Sequence, residues 1–197
     1  LQVTGTGALN FTGGAARFDH LVSNSRDLTV AAGSSLNAGE LSLGGADNAM
    51  TVGGAFSGAL DLGAGDDTLR LTAGGTFAGS ANGGSGFDTL ALALGGTDAA
   101  PTALGSTPFV GFETLDLQSG VVSVAGDYGF DTIQVRNGRL IGLAGSRLTA
   151  SNIVVAQGAT FGSAGAVTGN IAVAGTLSPG ASPGTMTVTG NVALASG

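Results

Sequence analysis

Asp67-Thr68-Leu69-Arg70-Leu71 and Asp88-Thr89-Leu90-Ala91-Leu92 are one five-residue phrase written twice, 21 residues apart. In each copy a polar residue precedes two apolar residues spaced by one, the period-two alternation of a strand. Working outward, the phrase recurs as Glu113-Thr114-Leu115-x-Leu117, Asp131-Thr132-Ile133-x-Val135, Asn152-Ile153-x-Val155, Asn170-Ile171-x-Val173 and Asn191-Val192-x-Leu194. Upstream it is present as Asp27-Leu28-x-Val30 and Asn48-x-Met50-x-Val52. Intervals between the first apolar residues run from 18 to 25 and average about 20.5, a solenoid-sized period.

A turn of ~20 residues carrying two or three short strands is one rung of a parallel β-helix. Between the phrases lie Gly44-Gly45, Gly63-Ala64-Gly65, Gly74-Gly75 and Gly83-Gly84-Ser85-Gly86, suited to corners that need positive φ. No stretch keeps a helical i, i+3, i+4, i+7 stripe without a glycine interrupting it. Rungs stacked ~4.8 Å apart lay like residues over like, so Leu69, Leu90, Leu115 and Ile133 are expected as an interior column in a rod roughly 45 Å long. The polar residue stands two before the first apolar residue in the middle rungs and one before it in the last three. Either a corner shifts by one residue there, or the polar column is not continuous. The 25-residue interval contains Pro101 and Pro108, and 95–111 is the candidate loop leaving the rod, since proline cannot donate within a central strand.

Composition narrows the function classes. Glycine at 38 residues without a Gly-X-Y period excludes collagen. With 43% hydrophobic and 10% charged residues the chain buries enough apolar surface to order itself. The absence of cysteine excludes disulfides, thiolate zinc sites and cysteine nucleophiles. A net charge of −7 with scattered arginines provides no basic stripe for phosphates, so no nucleic-acid partner is expected. No apolar run approaches the ~20 residues of a membrane span, so direct membrane insertion is not expected either. Because Leu1 is not a methionine and the pattern is still running at Gly197, the chain is read as a piece of something larger.

The C-terminal residues are more specific. Leu177-Ser178-Pro179-Gly180-Ala181-Ser182-Pro183-Gly184-Thr185-Met186-Thr187-Val188-Thr189-Gly190-Asn191 resembles a segment of autotransporter passenger domains, the exported part of type V secretion proteins. Gly83-Gly84-Ser85-Gly86-Phe87-Asp88-Thr89-Leu90 and Gly111-Phe112-Glu113-Thr114-Leu115-Asp116-Leu117 are similar to repeat units of the same proteins. The likeness covers roughly residues 40 to 197. It implies a secreted, cell-surface β-helix carried through the outer membrane by its own C-terminal barrel, which lies outside this sequence. Residues 175–197 would then be terminal rungs leading toward an autochaperone and that barrel. Passengers include adhesins, self-associating proteins, toxins and proteases, so membership alone fixes no activity.

Three sharper chemistries compete with structural roles for the same residues. Gly63-Ala64-Gly65-Asp66-Asp67 and Gly83-Gly84-Ser85-Gly86-Phe87-Asp88 resemble calcium-binding RTX nonapeptides, but the aspartates are 21 apart with no nonapeptide between them. A hydrolase triad has only His20, beside Asp19, and no nucleophile motif, although Gly84-Ser85-Gly86 places a serine between glycines. Polysaccharide cleavage needs paired carboxylates, and Asp66 with Asp67 is the sole adjacent pair. One carboxylate per rung is better explained by side chains hydrogen-bonding turn amides. Phe87, Phe112 and Phe130 each precede an acidic residue and are expected as a packed column rather than a ligand platform. Asp61, Asp98, Asp116, Asp127 and the arginines are expected on solvated faces.

The fold class expected is all-β: a right-handed single-stranded parallel β-helix (solenoid) of about nine to ten rungs, with 1–197 as a single domain. The expected function is that of a cell-surface passenger segment, a structural stalk with a role in adhesion or self-association, its partners a host surface or a second copy. The alternatives are a terminal segment that assists folding and secretion, an RTX-like calcium-binding surface protein, and a polysaccharide-active β-helix enzyme. No enzyme activity is expected, and no catalytic, cofactor-binding or metal residue is assigned.

Overall fold

The computed structural model describes residues 1–4, 7–24, 26–105, 108–179 and 185–195. The chain is an all-β parallel solenoid of about nine turns, and among the described residues there is no helix. The strands pair in parallel, joining residues about one rung apart in sequence. Two compact units result, one formed by Leu1–Ala91 with Thr107–Glu113, the other by Leu92–Ser106 with Thr114–Gly197.

In the first unit one sheet face stacks Leu9–Phe11, Asp27–Val30, Ala49–Val52 and Thr68–Thr72, with Thr89 onward following. Register sets Leu28 on Met50 on Leu69 and Val30 on Val52 on Leu71, all buried. The second face carries the longer strands Gly14–Ser23, Ser34–Ser42, Ala55–Asp61 and Thr76–Asn82. Leu21, Leu41, Leu60 and Ala81 form its buried column. Aromatic rings fill the interior beside it: Phe56 stacks on Phe77 at 4.8 Å, Phe77 meets Phe109 at 5.6 Å, and Phe109 meets Phe112 edge-on at 6.3 Å. Such pairs add about 0.5–1.5 kcal/mol each beyond area burial.

The second unit is built from strands of its own. Thr114–Ser119, Asp127–Val135, Arg147–Val155 and Ala166–Val173 stack with Leu115, Ile133, Ile153 and Ile171 in register and buried. Val121–Val124, Arg139–Gly142, Thr160–Ser163 and Thr176–Ser178 complete the coil, setting Val122 on Leu140 on Phe161. Thr114, Thr132, Asn152 and Asn170 are in register, so the late asparagines lie over threonines rather than over Asp131. One rung on, a bulge lies between Thr149 and Asn152, where the next strand has one residue fewer. Gly169 sits at that bend with φ of 137°.

The segment 95–111, expected as a loop, holds two short strands. Thr102–Leu104 pairs with Val121–Val124, and Phe109–Val110 pairs with Thr76–Asn82. Both prolines sit just before these strands, Pro101 ahead of Thr102 and Pro108 ahead of Phe109, where no ladder N–H is demanded of them. Asp98, in the stretch without strand, is held by Arg139 at 3.1 Å. Toward the C-terminus, Thr187–Thr189 and Val192–Leu194 pair with successive halves of Ala166–Val173. Residues 180–184, the centre of the passenger-like motif, lie outside the described residues.

Candidate functional site

The most unusual chemistry in the fold is a double rail of acidic side chains along one corner of the first unit. The inner rail runs through Asn48, Asp67, Asp88 and Glu113. Asn48 N–H donates to Asp67 Oδ1 at 2.7 Å, Asp67 N–H to Asp88 Oδ1 at 2.8 Å, and Asp88 N–H to Glu113 Oε2 at 2.7 Å. Each carboxylate thus reaches back one rung to a backbone amide. An outer rail runs the opposite way: Asp66 N–H donates to Asp47 Oδ1 at 3.0 Å, and Phe87 N–H to Asp66 Oδ1 at 2.9 Å. The two rails satisfy corner amides that the turn geometry leaves outside the sheet ladders.

Glycine is what lets these corners stack. A Cβ on Gly63 would lie 1.7 Å from the carbonyl oxygen of Gly44, and one on Gly84 would lie 1.8 Å from that of Gly63. Both residues also hold positive φ, 104° and 111°.

Asp67 and Asp88 are buried, at 1% and 0% exposure. Their Oδ2 atoms have no hydrogen-bond partner among the described residues. Burial pushes the Asp67 carboxyl up to about 6; the Asn48 N–H works against this, and the carboxylates of Asp88, Asp47 and Asp66 reinforce it. Asp88 is raised for the same leading reason, opposed by the Asp67 N–H and reinforced by Glu113 and Asp66. Desolvation disfavours the charged form of each.

This arrangement bears on the chemistries that the sequence raised. The RTX-like turns direct one oxygen of each rail carboxylate at a backbone amide. Among the described residues no three histidine, cysteine, aspartate or glutamate side chains converge as a metal-holding group. Asp66 and Asp67 do not form a facing pair, because Asp67 is buried and Asp66 is exposed. His20 is partly exposed and pairs with Glu40, Nδ1 to Oε2 at 3.0 Å, on neighbouring strands. Ser85 pairs as an isolated bridge with Ala64, one member of the glycine corner.

Two expectations need correction. The phenylalanines do not form one packed column: Phe112 and Phe130 are buried, at 4% and 7%, whereas Phe87 is 74% exposed. Corner length explains the split. Five residues separate Asn82 from Asp88, but only two separate Val110, its strand partner, from Glu113. The shorter corner turns Phe112 inward, while in the longer one Asp88 takes the interior position. Asp116 is not on a solvated face either. It is buried on the outside of its strand beneath Arg136, whose Nε donates to Oδ1 at 2.6 Å, with Gln118 Nε2 donating to Oδ2 at 3.0 Å. Both carboxylate oxygens are thus taken up by neighbouring side chains, a pairing that strand alternation does not reveal.

A further surface feature lies in the second unit, a shallow apolar groove lined by Val154, Ala172, Ala193 and Leu194. No family model matches the chain, and neither a curated protein nor a solved structure does.

Proposed function

We propose that this chain is a structural segment of an autotransporter passenger, a right-handed β-helical stalk displayed on the bacterial surface and anchored through a barrel encoded outside this sequence. The observation that carries the reading is the use made of its polar groups. The carboxylates of the corner rails bond backbone amides of neighbouring rungs, and the aliphatic columns fill the interior. Such a coil converts sequence into length, and each rung is stabilised only by its neighbours. The passenger-like segments at 83–90, 111–117 and 177–191 support the family within which that architecture serves display.

In this role the segment has no catalytic duty and takes no cofactor; adhesion or self-association is the contribution its exposed surface makes. Antibodies raised against the folded chain test the placement on cells carrying the native gene. Labelling of intact cells supports surface display. Labelling only after permeabilisation overturns it. Turnover of glycans or peptides by the purified chain would overturn the purely structural assignment.

A further inference from the structure

The chain contains two Asn-Gly dipeptides, Asn82-Gly83 and Asn137-Gly138, and the fold treats them differently. Asn82 ends the strand Thr76–Asn82, with its side-chain Nδ2 donating to Asp61 Oδ1 at 3.2 Å. Gly83 is buried, and its backbone N–H donates to Val110 O at 2.9 Å in the rung pairing. Asn137, exposed as Asn82 is, lies in the corner between Asp127–Val135 and Arg139–Gly142. The Gly138 N–H makes its bond to Asn137's own side chain, 2.9 Å from Oδ1. Gly138 holds φ of 86° and has no side chain to shield its nitrogen.

We propose that Asn137 is a site of spontaneous covalent modification, deamidating through a succinimide formed with Gly138, while Asn82 is protected by the fold. The Gly138 nitrogen gives its proton to solvent base and attacks the side-chain carbonyl carbon of Asn137. A carbon–nitrogen bond forms, the bond to the side-chain nitrogen breaks, and that nitrogen leaves as ammonia after taking a proton from water. Water then opens the five-membered ring at either carbonyl, giving aspartate or isoaspartate. No oxidant or reductant is involved. At Asn137 the nucleophile and the electrophilic group are already in contact. At Asn82 the cross-rung backbone bond and the side-chain bond must both open first.

The consequence is local. A new carboxylate would stand between Arg136 and Arg139, the residues that hold Asp116 and Asp98. An isoaspartyl linkage also lengthens the main chain in a corner where Arg139 N–H bonds Gly120 O and Thr160 N–H bonds Gly138 O, both at 2.9 Å. The structure therefore assigns to this corner an ageing reaction that adds charge and loosens one rung.

Peptide mapping by mass spectrometry of the full 197-residue chain, incubated at mildly alkaline pH, tests the proposal. In the folded chain Asn137 should convert to the acid forms about ten times faster than Asn82 or more, the difference made by the two bonds that guard Asn82. In guanidinium the two rates should converge. Equal rates at both positions in the folded chain would overturn it, as would faster conversion at Asn82. Asn137→Gln supplies the second arm, because the same corner of the next rung, one residue longer, already carries Gln157-Gly158 with φ of 83° at the glycine. That variant should fold and stop accumulating the acidic isoform; undiminished accumulation would refute the assignment to Asn137.

Discussion

Asp67 and Asp88 sit on neighbouring rungs, and the backbone N–H of the first donates to Oδ1 of the second at 2.8 Å while each keeps its other oxygen buried. The folded state therefore holds two carboxyl groups with little water around them and other carboxylates beside them. The Asp67 carboxyl stands at about 6 against an ordinary 3.8. Folding thus favours the protonated acid. The stabilisation it contributes is complete below 3.8 and is lost as pH rises through about 6. Asp67→Asn removes the charge but keeps an oxygen for the Asn48 N–H. It should match the parent near pH 3.8 and exceed it in stability above about 6, by roughly 1–3 kcal/mol. Urea midpoints of both proteins across that window check it; a difference independent of pH would contradict it.

Asp88 separates the acceptor role from the charge. Asp88→Asn retains an oxygen for the Asp67 N–H, whereas Asp88→Ala leaves that buried donor unpaired and a small void beside it. Leaving a buried donor unsatisfied costs about 1–3 kcal/mol. At neutral pH the asparagine variant should therefore be more stable than the alanine variant by about that amount, measured as a difference in denaturant midpoint at equal slope. Equal midpoints would mean the rail is decorative.

The solenoid and its columns were legible because Leu69, Leu90 and Ile133 recur at a rung-sized interval with a period of two, a signal that stacking itself imposes. The hydrogen-bonding corners were legible from one carboxylate per rung. What was not legible is where corner length changes. Phe87 and Phe112 occupy the same place in the phrase, yet a difference of three residues in the preceding corner sends one outward and one inward. The strands within 95–111 escaped for a related reason: each is two or three residues long, and its pairing partner is set by the fold rather than by any local pattern. The opposed direction of the two rails likewise depends on where backbone amides point, which residue type alone does not record.

Gly84 and Gly129 offer a contrast in what glycine is for. At Gly84 a methyl group would meet the Gly63 carbonyl oxygen at 1.8 Å, on a backbone with φ of 111°. At Gly129 nothing lies within 4 Å of the added carbon, and φ is not in the left-handed region. Gly84→Ala should destabilise by about 2 kcal/mol or more, from strain and from prising two rungs apart. Gly129→Ala should change stability by no more than about 0.5 kcal/mol, in either direction. Thermal unfolding of the two variants beside the parent decides it.

The split phenylalanine series makes the last prediction. Phe112 is buried with its ring edge-on to Phe109, at the end of the aromatic run that begins at Phe56. Truncation to alanine there opens a cavity among rings that cannot collapse without disturbing the strand Phe109–Val110, so the cost should be about 3–5 kcal/mol. Phe87 is exposed, and its contribution to the corner is the backbone N–H given to Asp66, which alanine would keep. Phe87→Ala should therefore lie within about 0.5 kcal/mol of the parent. A chain in which both substitutions cost the same would show that the two corners turn alike, and that the three-residue difference between them does not set which ring enters the core.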